Sequence, residues 1–311
     1  MRASECIFGP VPSRRLGLSL GIDLVPLKTC TYDCIYCQLG RTTAKVIERR
    51  EYVPSDAVID ELKRTLENGA APDYLTFSGS GEPTLHSGIG KVIAAAKTLT
   101  NIPVAVLTNG SLLSNKDVQH ALADADLVIP SLDAGNAGLF KYVNRPHHDL
   151  TFDVMLGGLI SFRQCFRKPI WLEVMLLGGV TSVDDEVMRI ARLARQIAPD
   201  RVQLNTVARP PAEDYALRVP TEILERQARL FDPPAQIIAD RPDVPHPAHT
   251  IDRDAVLGLI KRRPCTAQDA AAGLGLHLGE TIKLLESLVA DGTVIRVFQA
   301  GQYFHLPADR D

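Results

Sequence analysis

The sequence predicts an α/β chain built on a parallel sheet, followed by a small unit of helices and a hairpin. Three observations carry this. Apolar runs of strand length alternate with helical patterns from residue 74 to residue 230. Such alternation implies right-handed crossovers, with helices outside a parallel sheet. The strands come to six, short of a closed eight-stranded barrel. A proline-rich stretch over 231–249 then reads as a linker, and the pattern changes beyond it. The expected organisation is a core domain over 1–230, the linker, and a second domain over 250–307.

The elements follow in order. Gly9, Pro10, Pro12 and Gly17 break any helix over residues 7–24, and the apolar run 16–24 supplies a first strand. A loop opened by Pro26 and closed by Gly40 follows. Residues 54–67 read as a helix with Ser55 as its cap and Val58, Ile59, Leu62 and Leu66 on one face. Strands are then expected at Tyr74–Phe77, 103–107, 127–132, 170–177 and 202–206. Helices are expected at Ile89–Leu99, 115–122, 150–166, Asp184–Ile197 and 221–230. The tail reads as helices over 251–263, 266–272 and 279–290, then a hairpin over 293–298 and 303–306 turning at Ala300 and Gly301.

With 311 residues, 45% hydrophobic and 23% charged, the composition is that of a globular protein with ample core. Net charge is −3, so bulk charge does not mark a polyanion binder. The first fifty residues nevertheless carry eight Lys/Arg against four acids. That local positive field suits steering of an anionic substrate, or is simply a solvated basic face. No apolar run marks a secretory leader or a membrane span. With Cys6, Cys165 and Cys265 scattered singly, the expected compartment is the cytoplasm and those thiols are ordinary.

The chemistry concentrates in the loop between Pro26 and Gly40. Cys30, Cys34 and Cys37 stand four and three residues apart. Three cysteines this close would leave one over, and the chain lacks the dense cysteine usage of a disulfide framework. Structural zinc wants a fourth ligand nearby, and none follows. Three thiolates without a fourth suit a [4Fe–4S] cluster with one iron left open.

This Cys-x3-Cys-x2-Cys pattern, with Tyr36 before its last cysteine, resembles the signature of the radical S-adenosylmethionine (SAM) superfamily. The resemblance implies a partial (βα)6 barrel. It also implies SAM bound at the open iron and cleaved by one electron to a 5′-deoxyadenosyl radical, with a flavodoxin or ferredoxin-type electron donor. Gly79, Ser80, Gly81, Glu82 and Pro83, after the expected second strand, resemble the superfamily's Gly-Gly-Glu-Pro motif, which holds the SAM ammonium. Ser80 replaces its second glycine. Asn109, Ser131 and Asp133 close later strands. They hydrogen-bond the SAM ribose or the substrate, or serve as turn residues. Glu173 interrupts the apolar run WLEVMLL, so it is paired inside the barrel or faces a ligand. Gln203 and Asn205 are read the same way.

Residues 131–146, SLDAGNAGLFKYVNRP, are similar to the radical SAM wyosine synthases, which rebuild a guanosine in tRNA. The match lies in Asp133, Asn136, Lys141, Asn144, Arg145 and Pro146. Wyosine synthases carry further cysteines upstream for an auxiliary cluster; here only Cys6 lies there. The chain therefore reads as a relative with an unidentified substrate, RNA or protein. The alternatives are a small metabolite or a peptide, or an iron–sulfur transcriptional sensor.

The tail's three helices and hairpin resemble a winged helix-turn-helix module. Its third helix offers Glu280, Lys283 and Glu286, and residues 250–311 hold seven Lys/Arg against eight acids. The electrostatic term that dominates nucleic-acid affinity is missing, so sequence-specific DNA binding is not expected. Arg262, Arg263 and Arg296 remain as local phosphate contacts, and the module is read as docking a partner or presenting a substrate. His246 and His249 read as solvated linker residues rather than a metal pair.

Overall fold

The computed structural model describes residues 6–238, 253–274, 276 and 278–308. The chain enters as an antiparallel hairpin, β1 (Ile7–Ser13) and β2 (Gly17–Ile22). Two short strands, β3 (Thr29–Cys30) and β4 (Ala44–Lys45), pair beside the cysteine loop. The chain continues through α1 (Ser55–Glu67), β5 (Tyr74–Phe77), α2 (Ile89–Leu99), β6 (Val104–Thr108), α3 (Lys116–Ala121) and β7 (Leu127–Pro130). Then come α4 (Ala137–Val143), α5 (Phe152–Cys165), β8 (Trp171–Leu176), α6 (Asp184–Ile197), β9 (Arg201–Thr206), α7 (Thr221–Ala228) and β10 (Gln236–Ile237). The tail is α8 (Arg253–Arg262), α9 (Ala267–Leu274), α10 (Leu278–Ala290) and an antiparallel hairpin, β11 (Val294–Gln299) and β12 (Gln302–Pro307).

Strands β2, β5, β6 and β7 run parallel in that order, with β1 at their edge. Strands β8, β9 and β10 form a second parallel run. The bridges Val128 to Ile170 and Ser131 to Glu173 join β7 to β8. Successive strand residues face opposite ways, and the alternation sorts the two sides. Val104 and Val106 pack with Leu62, Val92, Phe162 and Ile190 in the main core beneath the helices. Ala105 and Leu107 face the other side with Leu16, Leu127, Ile129 and Trp171. Glu173 sits on that second side, between Leu172 and Val174 of the main core. The interrupted apolar run is thus an alternating strand with one polar face.

The structure differs from expectation in four places. Residues 7–24 hold two strands rather than one. Pro10 and Pro12 exclude a helix, but β1 is an edge strand, where a missing N–H costs no ladder bond. Ser55 does not cap α1: Pro54 occupies that position, and Ser55 donates its N–H and hydroxyl to Glu51 instead. Asn136, by contrast, caps a short helix not assigned from the sequence, accepting from the Leu139 N–H at 3.0 Å. Finally, the expected linker begins too early. Gln236 and Ile237 extend the sheet beside β9, and Phe231 and Ile238 are buried. Pro233 and Pro234 form an exposed turn into that strand, so proline content here marks a corner. His246 and His249 lie outside the described residues.

The tail has its own apolar cluster of Val256, Leu259, Ile260, Cys265, Leu285, Leu288 and Val294, and Val11 of β1 belongs to it. Among the described residues, no helix is long and apolar enough to cross a membrane.

Candidate cofactor site

One cavity of about 470 Å³ opens on the polar side of the sheet and gathers most of the residues singled out from sequence. Cys30, Cys34 and Cys37 all line it; Cys6, Cys165 and Cys265 do not. The cysteine loop is held from outside. Ile35 N–H donates to Val143 at 2.9 Å, and Asp33 N–H to Asn144 at 3.0 Å. Arg145, at φ +43°, lies 3.8 Å from Asp33 and 2.7 Å from Glu213. The segment Asn144-Arg145 therefore braces the cysteine loop from the end of α4.

Two amide groups reach the sulfurs. Asn109 Nδ2 lies 3.5 Å from Cys30 Sγ, and Asn144 Nδ2 lies 3.5 Å from Cys34 Sγ. Burial, then the neighbouring Glu82, pushes the Cys30 thiol up to about 12. Burial, then Asp133, raises Cys34 as well. Thiolates here need a cation to balance them. The three Sγ atoms are not all within 4.8 Å of one another. A single tetrahedral zinc would bring its sulfurs to about 3.8 Å. A donor set this spread fits a multi-iron cluster better than one ion.

The glycine motif lies beside the cysteines because the backbone ties the two together. Thr29, just before Cys30, bridges Gly81, and its carbonyl accepts from the Glu82 N–H at 3.1 Å. A Cβ on Gly81 would stand 1.7 Å from that carbonyl oxygen, so only glycine fits. Gly79 has φ +140° and lies against the Asp23 carboxylate. Ser80 takes that carboxylate with both its N–H, at 3.0 Å, and its hydroxyl, at 2.5 Å. Asp23 went unnoticed in the sequence. Its signal was an acid closing an apolar strand, the same signal that picked out Glu173.

Glu82 is buried, accepts four hydrogen bonds and still lines the cavity. Oε1 accepts from Thr84 N–H at 3.0 Å, Thr84 Oγ1 at 2.5 Å and Thr108 Oγ1 at 2.7 Å, while Oε2 accepts from Asn109 N–H at 2.7 Å. Burial raises its pKa above the usual carboxylate range despite these donors. Its carboxylate locks the ends of β5 and β6 together while lining the cavity.

Ser131, Asn109, Tyr36 and Glu173 also line the cavity; Pro83 and Asp133 do not. Asp133 stands behind Tyr36, accepting from its hydroxyl at 2.5 Å, from Asn144 Nδ2 at 2.8 Å and from Met175 N–H at 3.0 Å. With these three donors it positions Tyr36 and Asn144 rather than facing a ligand. Burial pushes it up to about 6. Glu173 is both things expected of it. It pairs with Arg15 from the β1–β2 turn, accepts from Asn205 Nδ2 at 3.1 Å, and faces the cavity. The Arg15 charge holds it below the usual carboxylate range against the cost of burial.

The tail supplies part of the cavity wall. Leu259, Arg262 and Arg263 line it. Arg262 stacks 4.5 Å from the Phe8 ring centre and lies 3.8 Å from Asp23. Arg296 pairs with Glu286 on the tail's own surface. Arg262 and Arg263, read from the sequence as local phosphate contacts, thus line the cavity.

The Radical SAM superfamily profile matches residues 24–194, more than half of the chain. The chain belongs to the radical SAM superfamily. The radical SAM protein is 41% identical over 292 residues to one named GTPase Obg in Brachyspira hyodysenteriae. That match covers 93% of this chain but 43% of the relative, so this chain spans less than half of that protein. It is 37% identical over 227 residues to a UPF0026 protein of Methanocaldococcus jannaschii, covering 72% of this chain and 70% of that one. The solved structure "Native anSMEcpe with bound AdoMet" superposes with a TM-score of 0.54 at 17% identity, over 80% of this chain and 70% of the other. That likeness shows the fold. Membership in the superfamily makes a [4Fe–4S] cluster and SAM the cofactors of this radical SAM protein. A cavity lined by three cysteines, with no fourth among its walls, suits them.

Proposed function

We propose that the protein is a radical SAM enzyme in which Cys30, Cys34 and Cys37 hold the cluster and the Gly79–Pro83 turn holds SAM. The observation that carries this is the backbone tie between Thr29 and Gly81-Glu82, which sets the cysteine loop against the glycine turn. Bound together, the cofactors supply a 5′-deoxyadenosyl radical that abstracts hydrogen from a substrate. The chain's residues do the rest. Gly79 and Gly81 let backbone approach the ligand, and Glu82 presents a carboxylate to a cationic ammonium. Asn109 and Asn144 direct N–H groups at the sulfurs, a lever on cluster potential. Leu259 and the guanidinium groups of Arg262 and Arg263 keep water from one side of the cavity. The parallel strands work as an open partial barrel, and the tail as a winged-helix-like cover. A flavodoxin or ferredoxin-type protein donates the electron.

The substrate is RNA or another macromolecule in the first reading. A small metabolite is the second, favoured by a tail that walls the cavity rather than offering an outward basic face. The SAM-site motifs and the acids Glu280 and Glu286 of the third tail helix disfavour the sensor reading.

The test is anaerobic reconstitution with iron and sulfide, reduction, and assay of SAM cleavage. The expected products are 5′-deoxyadenosine and methionine, with a broad cluster absorption near ~400 nm of the kind iron–sulfur centres show. Replacing Cys30, Cys34 and Cys37 together with alanine should remove both. A full-strength cluster in that variant would overturn the assignment.

A further inference from the structure

Outside the cofactor cavity, the turn that follows Arg145 and Pro146 gathers two histidines and an acid. One nitrogen each of His147 and His148 and one carboxylate oxygen of Asp149 all lie within 4.8 Å of one another. His147 Nδ1 stands 3.5 Å from Asp149 Oδ2, and His148 Nε2 stands 3.5 Å from Asp149 Oδ1. The two imidazole rings have their centroids 4.1 Å apart. None of the three residues lines the cavity that takes the cofactors.

These spacings are those of ligands around an ion rather than of hydrogen bonds. A good N–H···O bond measures about 2.7–3.2 Å. A tetrahedral ion with bonds of about 2.0–2.1 Å to nitrogen and oxygen holds its donors about 3.4 Å apart. The Asp149 N–H also approaches His147 Nδ1, at 3.4 Å, so a lone pair and a carboxylate face each other there. A cation between them removes that conflict. The donor set decides which cation. Calcium and magnesium want oxygen ligands, whereas imidazole nitrogen suits zinc and its transition-metal neighbours. Three protein donors leave a fourth position to water. The side chains of His148 and Asp149, 82% and 57% exposed, leave room for it. The turn is also shaped in advance. Leu150 N–H closes it on the His147 carbonyl at 2.9 Å, and His147 N–H donates to the Thr31 carbonyl at 2.8 Å. Little backbone ordering is left for binding to impose.

We propose that His147, His148 and Asp149 form a zinc site that braces the cysteine loop from outside. Thr31 is buried and follows Cys30, and its hydroxyl accepts from the same Asn109 Nδ2 that reaches Cys30 Sγ. An ion that fixes the 147–149 turn therefore fixes the hydrogen bond by which that turn holds Thr31. It extends the brace already made by Asn144 and Arg145. The site needs neither SAM nor the cluster, so it stands apart from the radical SAM reading.

The experiment uses the full chain without a histidine tag, loaded with cluster under anaerobic conditions. Zinc binding is read by isothermal titration, and iron and zinc are counted by mass spectrometry after desalting. One zinc per chain is expected with iron unchanged, and calcium or magnesium should not compete. His148→Ala and Asp149→Ala, both at exposed positions, should bind zinc about tenfold or more weakly. Equal affinity in wild type and His148→Ala would overturn the proposal. Zinc uptake matched by iron loss would overturn it too, because the zinc then sits at the cysteines. Binding only at millimolar zinc marks an adventitious ion only and has the same consequence. Hydrogen exchange reads the brace. Amides of residues 29–37 should exchange more slowly in wild type with zinc, and no more slowly in His148→Ala. Exchange that zinc leaves unchanged refutes the brace. Were no cluster to load, the variant with Cys30, Cys34 and Cys37 replaced by alanine carries the same titration free of thiolates. Zinc binding and SAM cleavage are thus read separately, and failure of either leaves the other standing.

Discussion

Replacing Gly81 with alanine should uncouple the cysteine loop from the glycine turn. The added Cβ would lie 1.7 Å from the Thr29 carbonyl oxygen and 2.7 Å from its carbonyl carbon. Real Cβ atoms essentially never come closer than 3.0 Å, so the two backbones must part by more than an ångström. No rotamer relieves this, because the obstacle is main chain. The parting breaks the bridge at Thr29 and strains the Glu82 N–H bond to Thr29, and Cys30 is the next residue. Overpacking of this kind costs about 1–3 kcal/mol, and more where backbone must move. Misplacing reacting groups by about 1 Å costs on the order of a hundredfold in rate. Gly81→Ala should therefore fold with a lowered melting temperature, load less cluster, and cleave SAM roughly a hundredfold more slowly. The assay is iron content, cluster absorption and 5′-deoxyadenosine formation under reducing, oxygen-free conditions. Full cluster loading and wild-type cleavage in Gly81→Ala would refute the claim that this contact sets the geometry.

Three further outcomes follow from other parts of the structure. Asn144→Leu removes one donor from Cys34 Sγ and one of three from buried Asp133. The cluster's midpoint potential should become more negative and stability should fall by about 1–3 kcal/mol; an unchanged potential by redox titration would contradict this. Removing residues 241–311 strips Leu259, Arg262 and Arg263 from the cavity and uncovers Val11. Cluster decay in air should quicken and substrate-free SAM cleavage rise, and an unchanged decay rate would assign the tail to docking alone. His86 is buried, with Nε2 against the Val53 carbonyl at 2.8 Å and Nδ1 accepting from Gly88 N–H at 3.1 Å. Burial lowers its proton affinity below the ordinary value of 6.5. The unfolded chain then binds the extra proton first, so stability is kept above pH 6.5 and declines as pH falls below it. His86→Gln should flatten that decline in a series of thermal melts, and an identical slope would exclude His86 as its source.

Much of this was legible because local chemistry and tertiary placement agreed. The ranges Tyr74–Phe77, Ile89–Leu99 and Asp184–Ile197 stand as read, since apolar spacing alone fixed strand, helix and helix. The three cysteines and the Gly79–Glu82 turn share a cavity although their spacing never says they touch. What was not legible depends on distant partners. Asp133 looked like a ligand contact because it ends a strand, yet its carboxylate is consumed by Tyr36, Asn144 and the Met175 N–H. Arg15 looked like surface charge until Glu173 met it from a strand far along the chain. Arg262 and Arg263 were read from the tail's net charge, which is blind to direction. The strand at Gln236–Ile237 was hidden by neighbouring prolines, and only its pairing with β9 reveals it.

The membership of Val11 in the tail's apolar cluster packs the start of the described chain against its last-made segment. During synthesis the amino-terminal hairpin, the cysteine loop and the sheet emerge first, and residues 253–308 afterwards. Until then the side chains of Val11 and Phe8 wait uncovered, and the wall made by Leu259, Arg262 and Arg263 does not exist. The nascent chain therefore presents Cys30, Cys34 and Cys37 through a wider opening than the finished protein does. Iron and sulfide arriving in that interval would meet a cavity that still lacks the wall made by Leu259, Arg262 and Arg263.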